Sequence, residues 1–200
     1  MRRISIMMLG LILVLIFASC DAPLDTSNQT TAGKQPNQTL PENNVDIEYN
    51  AWELGEFTDE FKKPTGEKYV VTTAYDGTFS NSATTNSDLI AAVQVTDVEI
   101  AIMLWEYGNH LVKGTFDYED YSITVLDQDN QKHYLSGTIY QGGNRIYVDS
   151  KDRYALLQLL RQDGEISFYL ESSKYSTSTY LFTIVTTGFA PLYYEIGNLK

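Results

Sequence analysis

The sequence predicts a mainly β domain, an antiparallel two-sheet β-sandwich with one short helix and a short C-terminal helical turn. Three observations carry that reading. Short runs rich in Val, Ile, Thr, Tyr and Phe recur along residues 68–186 at a spacing of about 8–12 residues. Asp-Gly, Gly-Asn and Gly-Gly pairs punctuate them as turns. Only one stretch, 150–162, has the apolar spacing of a helix, and no internal repeat is present.

The N-terminus comes before any of this. Met1-Arg2-Arg3 is basic, the run from Ile4 to Phe17 is apolar, and Ala18-Ser19 are small. That order is the tripartite pattern of a secretory signal, here 1–19. As a permanent span the run is marginal, because a spanning helix needs about 20 apolar residues. Phe17-Ala18-Ser19-Cys20 resembles the lipobox of bacterial lipoproteins, in which the cysteine is lipidated and becomes the new N-terminus. The resemblance implies two or three acyl chains on Cys20. Since each buried methylene contributes about 0.8 kcal/mol and two chains hold stably, the implied anchor is lasting. Cys20 is the only cysteine. Once it is lipidated, no thiol remains for a disulfide, a thiolate metal site or a nucleophile, so the exported fold must rest on its core.

Residues 20–44 are rich in Asn, Gln, Thr and Pro with almost nothing to bury, and are expected to form a disordered stalk. As a flexible coil the stalk would span about 25–30 Å, enough to lift a domain off the lipid head groups. The domain is then 45–200, a length that buries about two-thirds of its unfolded surface. Expected strands are 68–74, 88–95, 98–105, 121–126, 133–140, 145–149, 165–171 and 179–186. In the third of these, Val98, Ile100, Ile102 and Leu104 alternate with Glu99, Ala101, Met103 and Trp105, the period of a half-buried strand. Pro64-Thr65-Gly66 reads as a turn, and Gln128–Gln131 as a hairpin loop. The helix 150–162 has Asp149 or Ser150 as its cap and Asp163-Gly164 as its stop. Leu156, Leu157 and Leu160 share a face that should cover an end or edge of the sheets. A helical turn around 189–195 is expected to do the same elsewhere.

Chemistry is sparse. The chain has no Gly-rich phosphate loop, no H-E-x-x-H and no G-x-S-x-G. Its two histidines, His110 and His133, fall in separate turn and strand contexts. The net charge of −12 becomes two units more negative when Arg2 and Arg3 leave. That balance argues against nucleic acid and against anionic lipid as partners, leaving the acyl chains as the membrane contact. Asp127-Gln128-Asp129-Asn130-Gln131 has oxygens at alternate positions, as in the first half of a calcium loop, but Lys132 stands where that loop needs glycine. It reads as a hairpin turn, and no metal or cofactor is expected. Tyrosine is in excess, at 15 residues. Tyrosines form good strands and also good contact surfaces. The candidate ligand surface consists of Trp105, of Tyr140 and Tyr147 flanking Gln141-Gly142-Gly143-Asn144, and of the polar loop containing Ser80, Asn81, Ser82, Thr84, Thr85 and Asn86. The hydroxyls and amides of that loop can bond a polar ligand or one another, and the second use is the expected one.

Trp52-Glu53-Leu54, the run from Asp59 to Val70 and the run from Gly77 to Leu89 resemble the opening segment of uncharacterised bacterial exported β-sandwich proteins. The layout of the later parts (Asp127, 154–160, 165–170, Gly188-Phe189) is loosely similar to the sandwich domains of invasion-associated locus B proteins and of type VI secretion accessory proteins. Cysteines common in those proteins are missing here, so functions tied to them do not carry over. The expectation is an exported, membrane-anchored lipoprotein of the cell envelope, on the periplasmic or cell-surface side. Its domain would be a non-catalytic binding or envelope-assembly module for an envelope protein or a glycan. The alternatives are an envelope hydrolase that uses dispersed carboxylates, and an inhibitor or immunity-type lipoprotein that presents the loop 80–87.

Overall fold

A computed structural model describes residues 51–175 and 177–197. The signal, Cys20 and the stalk lie outside the described residues. The mainly β character and both short helices are present. The strands are β1 (Glu53–Thr58), β2 (Pro64–Ser80), β3 (Ser87–Val95), β4 (Ile100–Glu106), β5 (His110–Leu111), β6 (Tyr118–Leu126), β7 (Lys132–Tyr140), β8 (Ile146–Val148), β9 (Glu165–Ser172) and β10 (Thr179–Val185). The helices are α1 (Ser150–Leu160), between β8 and β9, and α2 (Phe189–Gly197), after β10.

The two-sheet sandwich is replaced by a barrel. The strands pair in the order β2-β10-β9-β6-β7-β8-β4-β3, and β3 pairs back onto β2, closing an eight-stranded antiparallel ring. β1 hangs on β2 outside the ring and β5 on β4. Closure depends on β2, which is 17 residues long. Its first part pairs with β1 and its last three residues with β10, while β3 runs along its other edge. Between Ala74 and Gly77 the register with β3 slips by one residue. The buried positions change phase at the same place, from Val70, Thr72 and Ala74 to Gly77 and Phe79, leaving Tyr75 exposed. This is what a β-bulge does: it bends the strand and re-aims its side chains. Gly77 sits where β2 meets β10, and a Cβ there would lie 3.0 Å from the Leu181 carbonyl oxygen and 3.0 Å from Phe182 Cβ.

Inward positions alternate along each strand and form one apolar core. It contains Leu89, Val93, Ile102, Leu104, Ile123, Val125, Ile139, Ile166 and Leu170. Phe168 and Phe182 face each other across β9 and β10, stacked at 5.0 Å. One end of the barrel is closed by the helices. Leu156, Leu157, Leu159 and Leu160 of α1 are buried, as the shared leucine face predicts. Arg153 Nη2 donates to the Asp97 carbonyl in the β3–β4 turn (2.6 Å) and to Tyr193 Oη of α2 (3.3 Å). Trp52 donates its indole N–H to the Val185 carbonyl (2.8 Å) and packs on Phe189 at 4.8 Å. Asp149 takes the N-cap position of α1 without a side-chain cap bond.

Two further readings shift. Pro64-Thr65-Gly66 is not the turn but the opening of β2. The turn closes one step earlier, because the Asp59 carboxylate accepts the N–H groups of Phe61 and Lys63, and Lys62 takes a left-handed φ of 61°. Pro64, which has no N–H, then fits the first position of a strand. β1 and β5, unread as strands in the sequence, complete the set.

Candidate functional site: the loop end of the barrel

Opposite the helices, the barrel ends in the β2–β3 loop, residues 107–117, residues 141–145 and the β9–β10 connection. Here the inward positions become polar. Glu106 follows Ile100, Ile102 and Leu104 in phase on β4, and Glu119 precedes Tyr121, Ile123 and Val125 in phase on β6. Tyr180 on β10 and Ser172 on β9 share that inward side, and both are buried.

Each carboxylate is held by hydroxyl donors. Tyr180 Oη donates to Glu106 Oε1 (3.0 Å), and Asn81 Nδ2 approaches Glu106 Oε2 at 3.4 Å. Ser172 Oγ donates to Glu119 Oε1 (2.7 Å), and Tyr121 stands two residues along β6 on the same inward side. Burial, with the Glu119 charge behind it, pushes the Tyr121 phenol well above the ordinary tyrosine range. Burial does the same for Tyr180, aided by Tyr121 and Glu106. Both phenols therefore keep their protons and remain donors. Glu119 is 5% exposed, and a carboxylate so far from water is tolerable only with bonds of this kind. Phe79 lies beside the cluster, 4.9 Å from the Tyr107 ring edge-to-face and 6.5 Å from Tyr180.

The outer wall at the same end carries a second grouping. Tyr118 of β6 is directly opposite Tyr140 of β7, and one step along the face Asp120 is opposite Thr138. Thr138 Oγ1 donates to Asp120 Oδ1 (3.1 Å). Tyr147 of β8, whose partner on β7 is Thr138, lies 6.4 Å from Tyr140 between ring centroids. Three tyrosines thus surround one carboxylate–hydroxyl pair. Tyr118 and Tyr140 are 63% and 57% exposed, so water covers most of both rings. A hollow of about 430 Å³ borders Tyr118, Asp120 and Gln141 on one side, and one of about 340 Å³ borders Tyr140, Tyr147 and Arg153 on the other.

The residues singled out from sequence are only partly brought together. Tyr140 and Tyr147 do form a pair. Trp105 stands apart on the outer face of β4, paired in register with Leu111, with no ring contact to those tyrosines among the described residues. The loop containing Ser80, Asn81, Ser82, Thr84, Thr85 and Asn86 is at the loop end and bonds mainly within itself. Asn81 Oδ1 accepts the N–H groups of Ala83 and Thr84, Ser80 Oγ accepts that of Asn86, and Thr84 and Ser87 hydroxyls meet. His110 lies next to Glu106 in the β4–β5 pair, whereas His133 lies at the helical end, its Nε2 2.7 Å from Asp127 Oδ2. Asp127 Oδ1 accepts the N–H groups of Asp129 and Gln131, so the calcium-like stretch is a hairpin turn held by its own carboxylate. Sequence reasoning missed Glu106, Glu119, Tyr121, Tyr180 and Asp120. The signal for the two glutamates was their phase: each extends an apolar alternation by one inward step.

Comparison with protein-family models, with curated proteins and with solved structures finds no match. What the site does has to come from its geometry.

Proposed function

We propose that the chain is a lipid-anchored protein of the cell envelope, tethered through Cys20, whose barrel is a non-catalytic binding module working from its loop end. The observation that carries the reading is the contrast between the two sides of that wall. Inside, Glu106 and Glu119 are engaged by Tyr180, Asn81 and Ser172. Outside, Tyr118 and Tyr140 are left exposed and Tyr147 half-buried around Asp120 and Thr138. Rigid rings with polar tips suit recognition surfaces, whereas both carboxylates are already engaged by the barrel's own donors.

Photo-crosslinking side chains placed at Tyr140 and, as a control, at the 71%-exposed Tyr154 of α1 test the reading in living cells. The expected result is a discrete adduct from position 140 and none from 154, with Cys20→Ser releasing the protein from the membrane fraction. Adducts equal at both positions would sink the loop-end assignment, and retention of Cys20→Ser in the membrane would sink the anchor. A second reading, a carboxylate-dependent envelope hydrolase, draws support from two glutamates facing inward at one barrel end. It requires that Glu106→Gln or Glu119→Gln abolish turnover of an envelope polymer while the fold is kept.

A further inference from the structure

We infer that the outer-wall grouping of Tyr118, Tyr140 and Tyr147 around Asp120–Thr138 is a binding site for a neutral, extended glycan. The inference rests on the binding-module reading and names its ligand class.

The arrangement is set by the strand register. Tyr118 and Tyr140 are directly opposed on an antiparallel pair, which places their Cβ atoms about 5 Å apart. Tyr147, opposite Thr138 on a third strand, lies diagonally from Tyr140 with ring centroids 6.4 Å apart. Three rings on three consecutive strands make an elongated apolar track, fixed by backbone pairing and needing little ordering on contact. The side chains set among the rings are not aliphatic. They are the hydroxyl of Thr138 and the carboxylate of Asp120, already bonded to each other at 3.1 Å. An ionised acceptor beside stacked rings suits a ligand that presents hydroxyl donors at its edge and C–H surface on its face.

Charge narrows the class. The larger hollow beside Tyr118 is lined by Asp117, Glu119 and Asp120, which oppose an anion. The same hollow already holds a cation, the Lys174 ammonium, above the Phe116 ring at 4.1 Å from the centroid. At the other end of the track, Arg153 rests its Nη2 on the neutral Asp97 carbonyl and the Tyr193 hydroxyl. An uncharged polyhydroxylated chain satisfies the rings and Asp120 without meeting the repulsion of those carboxylates. The hollows of about 430 and 340 Å³ at the two ends of the track leave room for sugar units beyond those on the rings.

The test uses the full-length lipidated chain in detergent micelles against a panel of neutral hexose and N-acetylhexosamine oligosaccharides, with anionic and cationic oligosaccharides alongside. The expected result is binding to a neutral member that strengthens with chain length. Tyr118→Ala, Tyr140→Ala and Tyr147→Ala should each weaken it about fivefold to tenfold. Asp120→Asn should weaken it as well, Tyr140→Phe should keep most of it, and Tyr134→Ala, at an exposed ring outside the track, should change nothing. Tyr118, Asp120, Tyr134 and Tyr140 are exposed and Tyr147 is half-buried, and the melting temperature checks that each variant keeps the fold. The inference is overturned if no neutral oligosaccharide binds, if only charged ones do, or if binding survives Tyr140→Ala and Tyr118→Ala. A crosslink from position 140 that persists while the panel stays blank would leave the binding module standing and remove the glycan.

Discussion

The two ends of this barrel solve opposite problems with the same alternating strands. At the helical end the inward positions are apolar, and α1 covers them with Leu156, Leu157, Leu159 and Leu160. At the loop end no helix among the described residues covers the mouth, and the inward positions carry Glu106, Glu119, Tyr121, Tyr180 and Ser172. The first end is stabilised by area removed from water. The second depends on matched donors and acceptors, a stricter condition, since a buried carboxylate that loses a donor keeps its desolvation cost. The helical end should therefore be the larger contributor to stability, and the loop end the more fragile to single-atom changes.

The largest expected effect is at the helical end. Leu156 is fully buried, and Leu156→Ala should cost about 2–5 kcal/mol through lost transfer energy and the cavity left behind. Urea unfolding monitored by tryptophan fluorescence measures it, and a loss below about 1 kcal/mol would show that α1 only rests on the barrel.

Next in size is a change of one oxygen atom at the other end. Tyr180→Phe keeps the ring but removes the donor to Glu106, and should cost about 1–3 kcal/mol. The same phenols make this end sensitive to alkali. Their pKa values are raised in the fold, so the unfolded chain gives up these protons first as pH rises. The stability they contribute is fully present below the ordinary tyrosine value of about 10 and declines above it. Ultraviolet titration of phenolate should show two tyrosines ionising only as the protein unfolds, and one fewer in Tyr180→Phe. Normal ionisation of every tyrosine in the folded state would contradict the buried cluster.

How much of this was legible in the sequence follows from the range over which each feature is decided. Strands are local, and the runs 88–95, 133–140 and 165–171 were readable from residue type and period alone. So was α1, through its leucine face and the Asp163-Gly164 stop. Closure was not legible, because β2 meets β10 about a hundred residues later in the chain, and the bulge that turns it toward that partner looks in sequence like an ordinary Tyr75-Asp76-Gly77. A sandwich and a barrel share the same alternation and differ only in whether the last edge finds the first. For the same reason Tyr140 and Tyr147 stood out beside a Gly-Gly turn, while Tyr118 could join them only once its register opposite Tyr140 was known. The inward glutamates were half legible: phase placed them inside, but their hydroxyl partners came from other strands.

The smallest effect returns to the helical end and has the opposite pH sign. Asp127 holds the β6–β7 hairpin with two backbone N–H bonds and the His133 ring. The hydrogen bond from His133 leads, with those from the Gln131 and Asp129 backbone after it, in holding the carboxyl below its usual range. A lowered carboxyl pKa contributes stability that is present above the unfolded value of about 3.9 and is lost as pH falls through the folded one. The wild-type chain should lose that increment in acid, and Asp127→Asn should lack it at neutral pH. The loss should be local, because the turn is at the surface and its bonds close only a few residues. Hydrogen-exchange protection at the amides of Asp129 and Gln131, taken relative to the intrinsic rate at each pH, is the readout, expected to fall below about pH 4 and in Asp127→Asn at neutral pH, with the Ser172–Glu119 end unchanged. If both ends loosened together in acid, the barrel would behave as one cooperative unit, and the division between a covered end and a polar one would describe composition without describing stability.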